Sequence, residues 1–108
     1  SWPFNPELAK ANLTGFSHGA GGIGWALILL GCHIGKPEYI EAGRHAFAYE
    51  ATQFDSKERN WYDLRTSVVT KGSPGPKFAY YWCSGSAGIG LSRIASWALL
   101  GKNDEELL

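Results

Sequence analysis

Charge imbalance is missing from this sequence: ten Lys and Arg stand against ten Asp and Glu, for a formal net charge of zero. Without a basic excess, nucleic-acid binding is disfavoured, and so is attachment to an anionic membrane surface. Cysteine is scarce. Cys32 lies in an apolar run and Cys83 in Trp82-Cys-Ser-Gly85, unlike contexts that argue against a disulfide framework and for a reduced, cytoplasmic protein. No secretory leader is recognisable, and the longest apolar run, about Ile23 to Ile34 with Gly and His inside it, is too short to cross a bilayer.

What is present points to a packed fold. The 108 residues are 44% hydrophobic and 19% charged, enough apolar surface for one small domain, and no domain boundary is placed within 1–108. Fourteen glycines accompany five tryptophans. Glycine weakens regular structure and tryptophan needs a well-packed setting, a combination that close backbone packing around a ligand site reconciles.

The glycines are not scattered. Ser17-His-Gly-Ala-Gly-Gly-Ile-Gly-Trp25 resembles Cys83-Ser-Gly-Ser-Ala-Gly-Ile-Gly-Leu91, with Gly19 and Gly85, Gly22 and Gly88, Ile23 and Ile89, and Gly24 and Gly90 each 66 positions apart. Gly35-Lys36 and Gly101-Lys102 keep the same offset, so the chain contains an internal repeat.

Each Gly-rich loop precedes an apolar stretch. Ile23 to Leu30 is apolar all round, which predicts a buried helix over 21–35 with Gly35 as its C-cap. Pro37 then opens a second, amphipathic helix predicted to reach Phe54, with Ile40, Phe47 and Phe54 on one side and Glu38, Glu41, Arg44 and Glu50 on the solvent side. The second repeat predicts an inner helix over 87–100 and, from Asn103-Asp-Glu-Glu, the start of another outer helix. Asp55 to Tyr81 reads as mostly irregular, with a short extended piece at Thr66 to Thr70, and residues 1–14 read mostly as loop. Buried inner helices alternating with amphipathic outer ones predict an all-α chain, part of an α,α-toroid with about two of its hairpin repeats. Two units cannot close a ring.

The chemistry-bearing residues sit in those loops. Cys83 stands just before a helix, whose N-terminus favours the thiolate that binds zinc or acts as nucleophile; the alternative is a small buried residue. His18 lies one position past the repeat equivalent of Cys83 and is either a general acid/base or a turn histidine. Loops preceding parallel inner helices open at the same end, so the two would face one cavity. One Cys and one His still fall short of the three protein ligands of a zinc site. Asp63 and Arg65, beside Trp61, read as a salt-bridged loop anchor or as substrate contacts, while Cys32, His33 and His45 read as structural.

Gly15-Phe-Ser-His-Gly-Ala-Gly-Gly-Ile-Gly24, Trp61-Tyr-Asp-Leu-Arg65 and Trp82-Cys-Ser-Gly-Ser-Ala-Gly-Ile-Gly90 resemble successive motifs of the lanthionine synthetase cyclases. The resemblance runs from about Leu13, and Trp61 to Arg65 favours the C-terminal domain of a class II bifunctional synthetase over a free-standing cyclase. It implies an α,α-toroid in which a central zinc activates peptide cysteine thiols to add to dehydroalanine or dehydrobutyrine. The resemblance makes Cys83 the first zinc ligand and His18 the proton-transfer residue, with Asp63, Arg65 and Trp82 as substrate-binding or supporting residues. The partner is a dehydrated precursor peptide. The family's remaining ligands come from a Cys-His-Gly motif that this sequence does not contain. The chain alone is therefore expected to bind zinc weakly or not at all and to be inactive. It is also expected to self-associate through the uncovered sides of its inner helices.

Two other classes compete. A carbohydrate-active α,α-toroid enzyme would place paired carboxylates or histidine pairs at the cavity, whereas the Gly-rich loops carry His18 and Cys83 and no acids. A non-catalytic helical-repeat module would use Trp25, Trp82 and Trp97 for packing or peptide contact and would tolerate Cys83→Ala.

Overall fold

The computed structural model describes residues 12–64, 78–102 and 107–108. Within them the chain is mostly helical: α1 spans Ala20–Ile34, α2 spans Pro37–Ala51 and α3 spans Ser86–Leu99. A two-stranded antiparallel hairpin, β1 at Phe54–Asp55 and β2 at Asn60–Trp61, pairs Phe54 with Trp61 and Asp55 with Asn60. This is the all-α architecture expected of a hairpin-repeat toroid segment. The extended piece expected at Thr66 to Thr70 and the helix start expected at Asn103 lie outside the described residues.

The hairpin α1–α2 forms for local reasons. Gly35 ends α1 in the left-handed region at φ 67°, its amide bonded to the Gly31 carbonyl, and Pro37 opens α2 where no amide is needed. At the crossing of the two helices, a Cβ on Gly43 would stand 2.6 Å from both the Gly24 carbonyl oxygen and Ile28 Cγ1. Only glycine permits that approach. It seats Ile28 and Phe47, both buried, in a core completed by Leu107 and flanked by Trp25, Trp97 and Leu100.

Helices α1 and α3 run parallel, as the repeat requires. The loops before them meet at one end, where the Phe16 and Ser17 amides reach the Cys83 carbonyl. Their final turns meet at the other, where Cys32 Sγ lies 3.8 Å from the Leu99 carbonyl oxygen.

Three sequence expectations are corrected. Helix α2 ends at Ala51 rather than Phe54, and Phe54 instead pairs with Trp61 in the hairpin, ring centroids 4.8 Å apart and the side chain 43% exposed. Helix α1 is not buried all round: Ala20, Gly21, Gly24, Ile28 and Gly31 are covered, whereas Leu29, Leu30 and Ile34 are exposed. Helix α1 packs mainly on α2 and α3, and its Leu29, Leu30 and Ile34 are left uncovered. Glu50, expected on the solvent side, is fully buried. It follows Gly43, Ala46 and Phe47 at helical spacing and so shares the inner face of α2.

The glycine contacts predict opposite outcomes for two small substitutions. Gly43→Ala, whose methyl would overlap α1, is expected to lower unfolding free energy by about 1–3 kcal/mol. Gly90→Ala, within α3 and with nothing within 4 Å of the added carbon, is expected to raise it by about 0.4–1 kcal/mol. Urea unfolding of both variants measures the two shifts.

Candidate active-site loops

Each Gly-rich loop ends on a glycine N-cap, Gly19 for α1 and Gly85 for α3, and neither offers a side chain to the first helical amides. Those amides would otherwise be orphaned. In α1 other groups take some of them: Ala20 N–H donates to the Leu13 carbonyl at 2.8 Å and Gly22 N–H to the Gly15 carbonyl at 3.1 Å, while the buried Glu50 carboxylate lies against Gly21. The loops fold back tightly on their helices in the same manner. A Cβ on Gly22 would fall 1.8 Å from the Phe16 carbonyl oxygen, and one on Gly88 would fall 1.7 Å from that of Trp82, two clashes related by the 66-residue repeat.

The two loops are joined directly. Phe16 N–H and Ser17 N–H both donate to the Cys83 carbonyl oxygen, at 3.2 and 3.1 Å. His18 is therefore the next residue after a direct hydrogen bond to Cys83. It is exposed, and Cys83 carries a free, half-buried thiol. Aromatic rings gather at the same junction: Phe16 stands 5.7 Å from Trp25 and 6.2 Å, edge-on, from Trp82. Trp82 is 66% exposed and continues an exposed aromatic run through Tyr80 and Tyr81.

The hairpin strand β2 and the residues after it buttress both loops. Thr14 Oγ1 donates to the Tyr62 carbonyl at 2.7 Å on the His18 side, and the buried Asn60 side chain donates through Nδ2 to the Ala79 carbonyl at 2.7 Å on the Cys83 side. Asp63 follows, buried, one residue past the Thr14 contact. Arg65 lies outside the described residues, so the Asp63–Arg65 anchor is not placed. Cys32, His33 and His45 occupy exposed helix positions away from these loops. Among the described residues no group of three or more His, Cys, Asp or Glu side chains is arranged to hold a metal ion. Cys83 has the chemistry and accessibility of a zinc ligand, but a complete ligand set does not form from these residues.

Beneath the loops lies a buried charge pair that sequence reading missed. Glu50 Oε2 accepts the Gly15 amide at 2.9 Å, and Arg93 of α3 lies with Nε 3.7 Å from Glu50 Oε1. Arg93 Nη2 donates to the Phe47 carbonyl at 3.0 Å, and its guanidinium sits 5.1 Å from the Phe47 ring centroid and 5.5 Å from that of Trp61. The signal was present as a charged residue in register with the apolar ones: Arg93 follows Ile89 by four and precedes Trp97 by four. A charge on a helix's inner face requires a buried partner.

Fold and loops together define a helical-hairpin repeat protein with paired Gly-rich loops at one end of its inner helices. The chain belongs to the lanthionine synthetase C-like family, whose model matches residues 4–108. No curated protein and no solved structure matches it.

The Glu50 environment fixes the sign of a pH effect. Burial pushes its carboxyl above the ordinary value of 4.5, against the opposing pull of the Gly15 amide, Arg93 and the Gly21 amide. A carboxyl raised on folding contributes stability that is complete below 4.5 and is lost as pH rises through the higher folded value. The unfolding free energy of the wild type, less that of Glu50→Gln, is therefore expected to fall as pH rises from 4.5. Chemical unfolding at a series of pH values measures the difference, and a flat or rising one contradicts this assignment.

Proposed function

We propose that this chain is part of a lanthipeptide cyclase, adding peptide cysteine thiols to dehydroalanine or dehydrobutyrine to form thioether rings. The observation that carries the reading is the direct hydrogen bonding of the His18 loop to the Cys83 loop within a chain of the lanthionine synthetase C-like family. The partner is a dehydrated precursor peptide, and the exposed Trp82 beside Phe16 offers aromatic surface to it. Among the described residues no helix is long and apolar enough to cross a membrane, in keeping with a cytoplasmic enzyme. The Trp61 to Arg65 motif favours the C-terminal cyclase domain of a class II synthetase as the parent.

In this reading the substrate thiol loses its proton, its sulfur bonds to the β-carbon of the dehydro residue, and the α-carbon of the resulting enolate takes up a proton. No electrons leave or enter. In this reading His18, which is exposed, would deliver that proton. Cys83 would be one ligand of a zinc ion whose other donors are not among the described residues, and such an ion would lower the pKa of the incoming thiol. A carbohydrate-active reading has less support, since the buried carboxylates Glu50 and Asp63 do not open onto these loops as a facing pair.

The 108-residue chain itself is proposed to pair with a second copy through its exposed apolar helix sides, which include Leu29, Leu30, Leu91 and Ile94. Sedimentation is expected to show a concentration-dependent dimer, and a folded monomer at all concentrations contradicts it.

In an intact cyclase carrying this sequence, Cys83→Ala is expected to abolish zinc retention and ring formation. His18→Ala is expected to keep the metal while slowing cyclisation by about 10²–10⁴-fold. Metal content and thioether formation on a dehydrated precursor peptide separate the two. Stoichiometric zinc and normal cyclisation in Cys83→Ala would show the ligand assignment to be wrong.

A further inference from the structure

We infer that Glu50 is the positioning residue of the candidate site: its carboxylate caps helix α1 from helix α2 and thereby holds the His18 loop against the Cys83 loop. The inference deepens the cyclase reading and rests on it for the chemistry, though not for the geometry.

Helix α1 needs such a cap because Gly19 supplies none. A carboxylate at a helix N-terminus meets both the free amides and the positive end of the helix dipole. Glu50 meets the loop at both of its ends. It accepts the Gly15 amide at 2.9 Å and lies against Gly21 in the first turn of α1, and His18 is the residue midway between them. A side chain at position 21 would displace it, since a Cβ there would stand 2.9 and 3.0 Å from the two carboxylate oxygens. With Gly15 and Gly21 held, two of the amides between them, those of Phe16 and Ser17, donate to one acceptor, the Cys83 carbonyl.

The anchor is also tied to the second repeat. Arg93 extends from α3 to within 3.7 Å of the carboxylate and donates to the Phe47 carbonyl one turn before Glu50 on α2. One carboxylate thus refers the His18 loop to α2 and, through Arg93, to the helix that follows Cys83. Glu50 has no solvent exposure, so it does not reach substrate and acts only through the loop.

The test reads the loop and the reaction separately. By amide hydrogen exchange on the full chain, Glu50→Ala is expected to lower protection of Gly15, Phe16, Ser17 and Gly21 by about tenfold or more while Ala46 and Phe47 keep theirs. Glu50→Gln, which retains one carbonyl oxygen for Gly15, is expected to restore much of that protection. If Glu50→Ala does not fold, the double variant Glu50→Leu with Arg93→Met removes the acceptors and the unpaired charge together and is expected to show the same release. In the intact cyclase, Glu50→Ala is expected to lower kcat by about ten- to a hundredfold with KM for the precursor peptide little changed, and Glu50→Gln to recover it in part. Loop protection in Glu50→Ala within about twofold of wild type would overturn the inference, and so would a kcat loss that Glu50→Gln does not relieve. Released loop amides in a protein whose wild type forms no thioether would support the loop assignment and overturn the cyclase reading instead.

Discussion

A single backbone oxygen, the carbonyl of Cys83, accepts amide protons from Phe16 and Ser17 and thereby joins the two repeats at the end where His18 and Cys83 lie. The junction requires backbone to approach backbone, and the glycines serve that requirement. At Gly22 and Gly88 each loop lies so close over its own helix that a methyl group would overlap the preceding carbonyl. The parallel run of α1 and α3, the gathering of Phe16, Trp25 and Trp82, and the nearness of His18 to Cys83 all follow from that contact.

Glycine-rich loops are poor at holding a shape, and the surrounding structure supplies what they lack. Glu50 and Arg93 are costly to bury, and their separation of 3.7 Å is that of an ion pair rather than of a hydrogen bond. Burying both charges offsets much of their attraction, whereas removing one partner alone would leave a buried charge, at a cost of about 3–5 kcal/mol. Asn60 and Thr14 add two further hydrogen bonds from outside the helices. His18 and Cys83 thus stand on loops that have little intrinsic order but are bonded to α2, to the residues at the hairpin and to each other.

Much of this was legible in the sequence. The 66-residue offset located both inner helices to within a residue or two, and Gly35 and Pro37 marked the turn between α1 and α2. The placement of His18 one position past the repeat equivalent of Cys83 led to the expectation that the two loops open at the same end; their direct hydrogen bonding was not read from the sequence. Glu50 was misplaced because a carboxylate near the end of an amphipathic helix ordinarily faces water. Its position three residues after Phe47 and seven after Gly43 outweighs that tendency once a loop amide and Arg93 are there to receive it. The end of α2 was overrun for a related reason: the seven-residue spacing that joins Ile40 and Phe47 extends to Phe54, but that ring packs on Trp61 across a hairpin whose strands are two residues long. Strands so short leave almost no periodicity to read.

The contact between the two loops can be observed without reference to activity. In a uniformly labelled sample, scalar coupling across hydrogen bonds should link the amide nitrogens of Phe16 and Ser17 to the carbonyl carbon of Cys83, with amide exchange slowed at both residues. Both couplings to that one carbon are the predicted result. Their absence, with the Phe16 and Ser17 amides exchanging as freely as those of an unstructured peptide, would contradict the joined loops and with them the placement of His18 beside Cys83.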